Sequence, residues 1–124
     1  MNERPDDPAT IERVRSICLA LAGVEERFSH GEPSWFVRGR QIATMAVDHH
    51  DRRLGVWLAA PAGRQESLVE TDPERFFRPP YVGHRGWVGV FLDVPDVDWD
   101  ELAVLVADAH QLIASVRARP RATR

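Results

Sequence analysis

Histidine, cysteine and paired carboxylates are the residues of this chain that could do catalytic or metal-binding chemistry, and arginine is the one that could hold phosphate. His49-His50, flanked by Asp48 and Asp51, offers metal ligands by type. Adjacent histidines in a turn between strands point apart, and no Cys/His pair stands at zinc-site spacing. The pair reads as a solvated turn. Cys18 lies on an apolar helical stripe with Ile11, Val14, Ile17 and Leu21, where a thiol is an inert core group rather than a nucleophile. Glu25/Glu26 and Asp98/Asp100 stand where loops and helix caps account for them. His30-Gly31-Glu32 sets an imidazole beside a carboxylate in an irregular stretch, and a structural role is the stronger reading for it. With Trp35 and Trp87, His30 also marks a place where a small-molecule site would form. No general acid faces a base in a recognisable frame, and no GxxxxGK[ST] or GxGxxG phosphate loop occurs. The expectation is a protein that is not an enzyme, with no cofactor and no metal.

Arginine is the remaining chemistry. All 16 basic residues are arginine, as a GC-rich coding sequence would produce, against 19 acids and a net charge of −3. That balance excludes wholesale phosphate neutralisation. The distribution is uneven. Residues 93–108 hold six acids and no base, whereas Arg38 and Arg40, Arg52 and Arg53, and His84 with Arg85 fall in predicted turns. Arg117, Arg119, Arg121 and Arg124 close the chain. Turns tipped with arginine can enter a minor groove or grip phosphates.

Those turns need strands to hold them. Ser34–Val37 and Gln41–Val47 read as a hairpin across Arg38-Gly39-Arg40, with Gly39 supplying positive φ. Ile42, Thr44 and Ala46 share one face of the second strand and Ala43, Met45 and Val47 the other. Both faces are apolar enough for a central strand. Leu54–Leu58 completes a three-stranded meander. Phe76–Leu92, FFRPPYVGHRGWVGVFL, reads as a second hairpin: a short strand, a turn carrying His84 and Arg85 outward, and a strand from Trp87 to Leu92. Val24–Pro33 reads as an irregular connection anchored by Phe28.

Helices frame the strands. Asp7 caps a first helix with Pro8 at its first position, and Gly23 stops it. Arg64–Glu70 is a short second helix. Asp98 and Glu101 form a capping box for a third, whose inward stripe is Trp99, Leu102, Val106, Ala109, Ile113 and Val116. The fold class is α+β, two-layered: an antiparallel sheet with helices on one face, in the order α-β-β-β-α-β-β-α. At 124 residues the chain is a single domain, 1–124, with 1–8 and 118–124 expected to be flexible tails. A lone cysteine, no apolar run near ~20 residues and no secretory signal point to a monomer in the cytoplasm, away from membranes.

Three blocks in order, LALAGVEERFSHGEPSWFVRGRQIATM, DPERFFRPPYVGHRGWVGVFLD and VDWDELAVLVADAHQLI, resemble the MmcQ/YjbR family of small bacterial proteins over nearly all of Ile11–Ile113. Arg40 stands where that family usually has a lysine, which keeps the charge but changes its geometry. The resemblance implies an α+β fold similar to type III secretion chaperones. It also implies double-stranded DNA as partner, bound by a double-wing arrangement of hairpins through Arg38, Arg40, His84, Arg85 and Trp87. The competing class is a protein-interaction adaptor acting through the acidic last helix, which rests on fold analogy.

Overall fold

The structure is a computed structural model and describes residues 7–47 and 52–116. Its element order is α1 (Pro8–Leu19), β1 (Val24–Ser29), β2 (Glu32–Val37), β3 (Arg40–Val47), β4 (Leu54–Leu58), α2 (Arg64–Thr71), β5 (Phe76–Phe77), a 3₁₀ turn (Gly83–Arg85), β6 (Val88–Phe91) and α3 (Trp99–Ala114). The expected α+β order is present, with β1 added ahead of the meander. His49, His50 and their flanking aspartates lie outside the described residues, as do the arginines after Val116.

Six strands form one antiparallel sheet in the order β1-β2-β3-β4-β6-β5. β3 and β4 occupy its centre, as the apolar character of both faces of β3 requires. The register divides the side chains into two sets. Trp35 faces Ala43, Ala43 faces Leu58, and Leu58 faces Val88 across neighbouring strands. With Met45, Leu54, Val56, Val90 and Phe76 these build the buried core under α1 and α3. α1 contributes Val14 and Cys18, and α3 contributes Leu102, Leu105, Val106 and Ala109. Fully burying one such aliphatic side chain stabilises the fold by about 1.5–3 kcal/mol.

Both long helices begin as their sequences require. The Asp7 carboxylate accepts from the Ala9 amide at 3.1 Å and from Thr10 Oγ1 at 2.9 Å. Asp98 Oδ1 accepts from the Glu101 amide at 3.0 Å. Their ends fall earlier than expected. α1 stops at Leu19, four residues before Gly23, and Val116 lies past the end of α3, exposed rather than in its stripe.

Val24–Pro33 is not irregular. Val24–Ser29 pairs with β2 along its whole length, and His30-Gly31, both at positive φ (54° and 82°), make a two-residue turn. Phe28 is exposed and anchors nothing. The inward residue is Glu26. Its carboxylate takes Arg15 Nε and Nη2 at 2.7 and 3.0 Å and Trp35 Nε1 at 3.0 Å. Such pairing offsets the desolvation cost of an inward charge on an edge strand, and the charge discourages another chain from adding to the sheet. Phe76–Leu92 is also altered: its first strand is Phe76–Phe77, and Tyr81-Val82 belongs to the turn.

Candidate functional site

Strand direction decides which turns share an end of the sheet. β2 finishes and β3 starts at Arg38-Gly39, where both residues take positive φ, 54° and 77°. β4 runs back to that end and finishes at Leu58, opposite Val88, so β6 starts there too. The Arg38–Arg40 turn and the His84-Arg85 turn therefore project from the same end. The β3–β4 connection, with Arg52 and Arg53, lies at the other. Arg53 is engaged there, its Nε and Nη2 each 2.8 Å from the Asp93 carboxylate and its guanidinium 3.8 Å from the Phe91 ring centre. Burial pushes the Asp93 carboxyl up, but the bonds from Arg53 and from the Leu54 amide outweigh it and hold it below 3.8.

Ion pairing separates the two ends further. Arg15, Arg27, Arg53, Arg64 and Arg75 all pair with carboxylates. Among the described residues Arg13, Arg38, Arg40, Arg78 and Arg85 pair with none; Arg13 lies over the Trp99 ring, 4.8 Å from its centre, and the other four flank the turns of one sheet end. Arg38 Nη1 reaches the Ala114 carbonyl at 3.5 Å, at the negative end of the α3 dipole. Glu25 and Glu26 start β1 at this end, but Arg27 and Arg15 hold them. Acids dominate the opposite end: Asp96, Asp98, Asp100 and Glu101 lead into α3 there.

Gln65 holds the 78–87 segment in place. It is 3% exposed on α2, and its Nε2 donates to the carbonyls of Gly83 at 2.8 Å and Trp87 at 2.5 Å. Its Oε1 accepts from Arg78 Nη1 at 3.2 Å. Every polar atom of this buried amide is thus used to fix a loop that has little regular structure. Gly83 is required because the Arg78 stem lies where a Cβ would sit. Of the five residues expected to touch DNA, Arg38, Arg40, His84 and Arg85 are exposed at the shared end. Trp87 is buried, 4% exposed, with the Arg85 guanidinium 5.7 Å from its ring centre. It supports that turn from beneath.

Trp87 also belongs to a second feature. The sheet face away from α1 and α3 carries Ser34, Thr44, Ala46, Gly55, Trp57, Gly89 and Phe91. At the β5 edge, Phe77 lies over Gly55 and Gly89, stacked on Phe91 with ring centres 4.4 Å apart. Between there and the β1–β2 turn the face is open. A cavity of about 470 Å³ is floored by Thr44, Ala46 and Trp57 and walled by Tyr81, Val82 and Trp87 on one side. Ser29, His30 and Glu32 wall the other, and Gln41 closes one end. Trp35, expected beside His30 and Trp87, faces the helices instead, because its register partner is Ala43 rather than Thr44. Gln65, Tyr81, Gln41, Thr44 and Trp57 escaped the sequence reading, since nothing local distinguishes them. The glycines of FFRPPYVGHRGWVGVFL were the available signal.

Burial, then the Glu26 charge, pushes the Cys18 thiol up to about 12, so it is neutral and inert. Among the described residues no group of three or more His, Cys, Asp or Glu could hold a metal ion, and no helix is long and apolar enough to cross a membrane.

The chain is similar in fold to the crystal structure of the Deinococcus radiodurans protein DR2400, which carries a DUF419 domain. The TM-score is 0.74 at 21% identity, covering 89% of this chain and 82% of that one. No curated protein matches. The family model YjbR matches residues 19–112, which is most of the chain and contains both turns, Gln65 and the groove. The chain belongs to the YjbR family.

Proposed function

We propose that this protein binds double-stranded DNA, without catalysis, by presenting Arg38, Arg40, Arg78, His84 and Arg85 to the phosphate backbone. The observation that carries this reading is the segregation of charge. Among the described residues, Arg38, Arg40, Arg78 and Arg85, none with a carboxylate partner, gather at one sheet end, where Glu25 and Glu26 are neutralised by Arg27 and Arg15, while the acids leading into α3 lie at the other. Two turns form the contact rather than three hairpin tips. They are offset by the width of β3, β4 and β6, roughly 10 Å across the sheet. That offset is close to the width of the major groove, about 12 Å, so each turn can meet a phosphate strand. Contacts of this kind position the protein and carry no sequence information of their own.

Fluorescence anisotropy of labelled duplex DNA against salt tests it. Four arginines neutralising four phosphates give a log–log slope of roughly −3 to −4. Arg38→Ala, Arg40→Ala and Arg85→Ala each reduce that slope by about one, while Arg27→Ala, whose charge is spent on Glu25, leaves it unchanged. Absence of binding at about 100 μM protein in low salt overturns the proposal, because non-specific electrostatic binding alone is tighter.

A further inference from the structure

We propose that the groove on the sheet face opposite α1 and α3 binds an uncharged planar heterocycle of nucleobase size. Its volume, about 470 Å³, lies in the range of small-ligand sites. Trp57, Tyr81 and Trp87 give it aromatic surface, on which a flat ring stacks whatever its substituents. The polar groups stand at the edges, where such a ring carries its donors and acceptors. Gln41 offers an amide with both functions, His30 an imidazole and Ser29 a hydroxyl. Among the described residues none hydrogen-bonds to these three side chains, so their capacity is open to a ligand. The floor is already satisfied: Thr44 Oγ1 and Ser34 Oγ are 2.7 Å apart, and Thr44 Oγ1 donates to the Met45 carbonyl. Among the described residues no arginine lines the groove, which disfavours an anionic ligand inside it.

The geometry is also built in advance. Gln65 holds the Trp87 carbonyl and the Gly83 carbonyl, so the wall carrying Tyr81 and Trp87 is fixed before any ligand arrives. A preorganised wall lowers the ordering cost of binding. The heterocycle has two sources, a free nucleoside or an unstacked base of a nucleic-acid strand. The groove does not depend on the DNA reading, since it contains none of the phosphate-facing arginines.

The test uses the full chain labelled with ¹⁵N and follows the indole Nε1–H signals of its four tryptophans. Adenosine and uridine, each taken to about 10 mM, are the probes and D-ribose the control. Saturable shifts are expected at Trp57 and Trp87, while Trp35, packed under the helices, and Trp99 on α3 stay in place. Tyr81 is 67% exposed, so Tyr81→Ala spares folding, and it should weaken binding about tenfold. Gln41→Ala should narrow the difference between adenosine and uridine. A single-stranded oligoadenylate that shifts the same two indoles at lower concentration than adenosine identifies a strand as the source. Equal potency identifies the free nucleoside, and either result supports the site. No saturable shift, an equal response to ribose, or unchanged affinity in Tyr81→Ala overturns it. Failure of duplex binding with retained nucleoside binding removes the DNA reading and leaves this one standing.

Discussion

The two faces of the sheet use the same strands for opposite purposes. Toward α1 and α3, β2 to β6 contribute buried apolar side chains, and the inward charge of β1, Glu26, is engaged by Arg15 and Trp35. Toward the groove, the strands carry Ser34, Thr44, Ala46, Gly55 and Gly89, whose small size leaves room above the sheet. Phe77 fills that room at one edge, and nothing among the described residues fills it over Thr44 and Trp57. Because side chains alternate along β3 from Ala43 to Met45, residues one apart in sequence do different work. Ala43 and Met45 hold the fold together, and Thr44 floors a site.

The largest effect that would sharpen this contrast comes from Gly89→Val. The Phe77 ring occupies the place of a Cβ at Gly89, so the added side chain displaces the ring or the β5 edge. Denaturant unfolding should show a loss of about 3 kcal/mol or more. A loss within error of zero would show that Phe77 moves freely and that the small residues there have no packing role.

Gln65→Ala should come next, at about 2 kcal/mol, because it strips two buried carbonyls and Arg78 of their partner. Its signature is local. Hydrogen exchange should rise across 78–87 while the β2–β3 hairpin stays protected, and uniform loosening would argue that Gln65 supports the whole fold instead.

Titrating Glu26 probes the helix face and has the smallest effect. Hydrogen bonds from Arg15, against an opposing push from burial and aided by Trp35, hold the Glu26 carboxyl below 4.5. A carboxylate depressed in the folded state contributes fully above its unfolded value and loses that contribution as pH falls through its folded value. Thermal melts of the native chain and Glu26→Gln should therefore differ near neutral pH and converge as pH falls through the depressed folded value of Glu26. A difference that persists unchanged into acid would mean the side chain matters by shape rather than charge.

Much of the frame was legible. Asp7-Pro8, Asp98 as a cap, and Arg38-Gly39 are local signals that the structure uses as their chemistry suggests, whereas the Glu101 carboxylate pairs with Arg75 instead of completing a capping box. β1 was not legible, because Glu25-Glu26-Arg27 breaks the apolar alternation of a strand. Its inward charge is satisfied by Arg15, eleven residues away, and by Trp35 on the neighbouring strand. The turn tips could be named from sequence, but their sharing of one end follows from strand order. The groove was least legible of all. It joins residues from 29 to 87, and the one-residue phase of β2 decided that Trp35 would be excluded from it.

The Arg38-Gly39 turn sets stability against charge at one position. An L-residue held at φ 54° carries a backbone cost of about 1–2 kcal/mol that glycine would avoid and asparagine would reduce. Selection for a sturdier hairpin alone would therefore replace Arg38, and with it a cation at the sheet end where Arg40, Arg78 and Arg85 also lack a carboxylate partner. A chain optimised for folding and a chain optimised for holding an anion diverge at this residue.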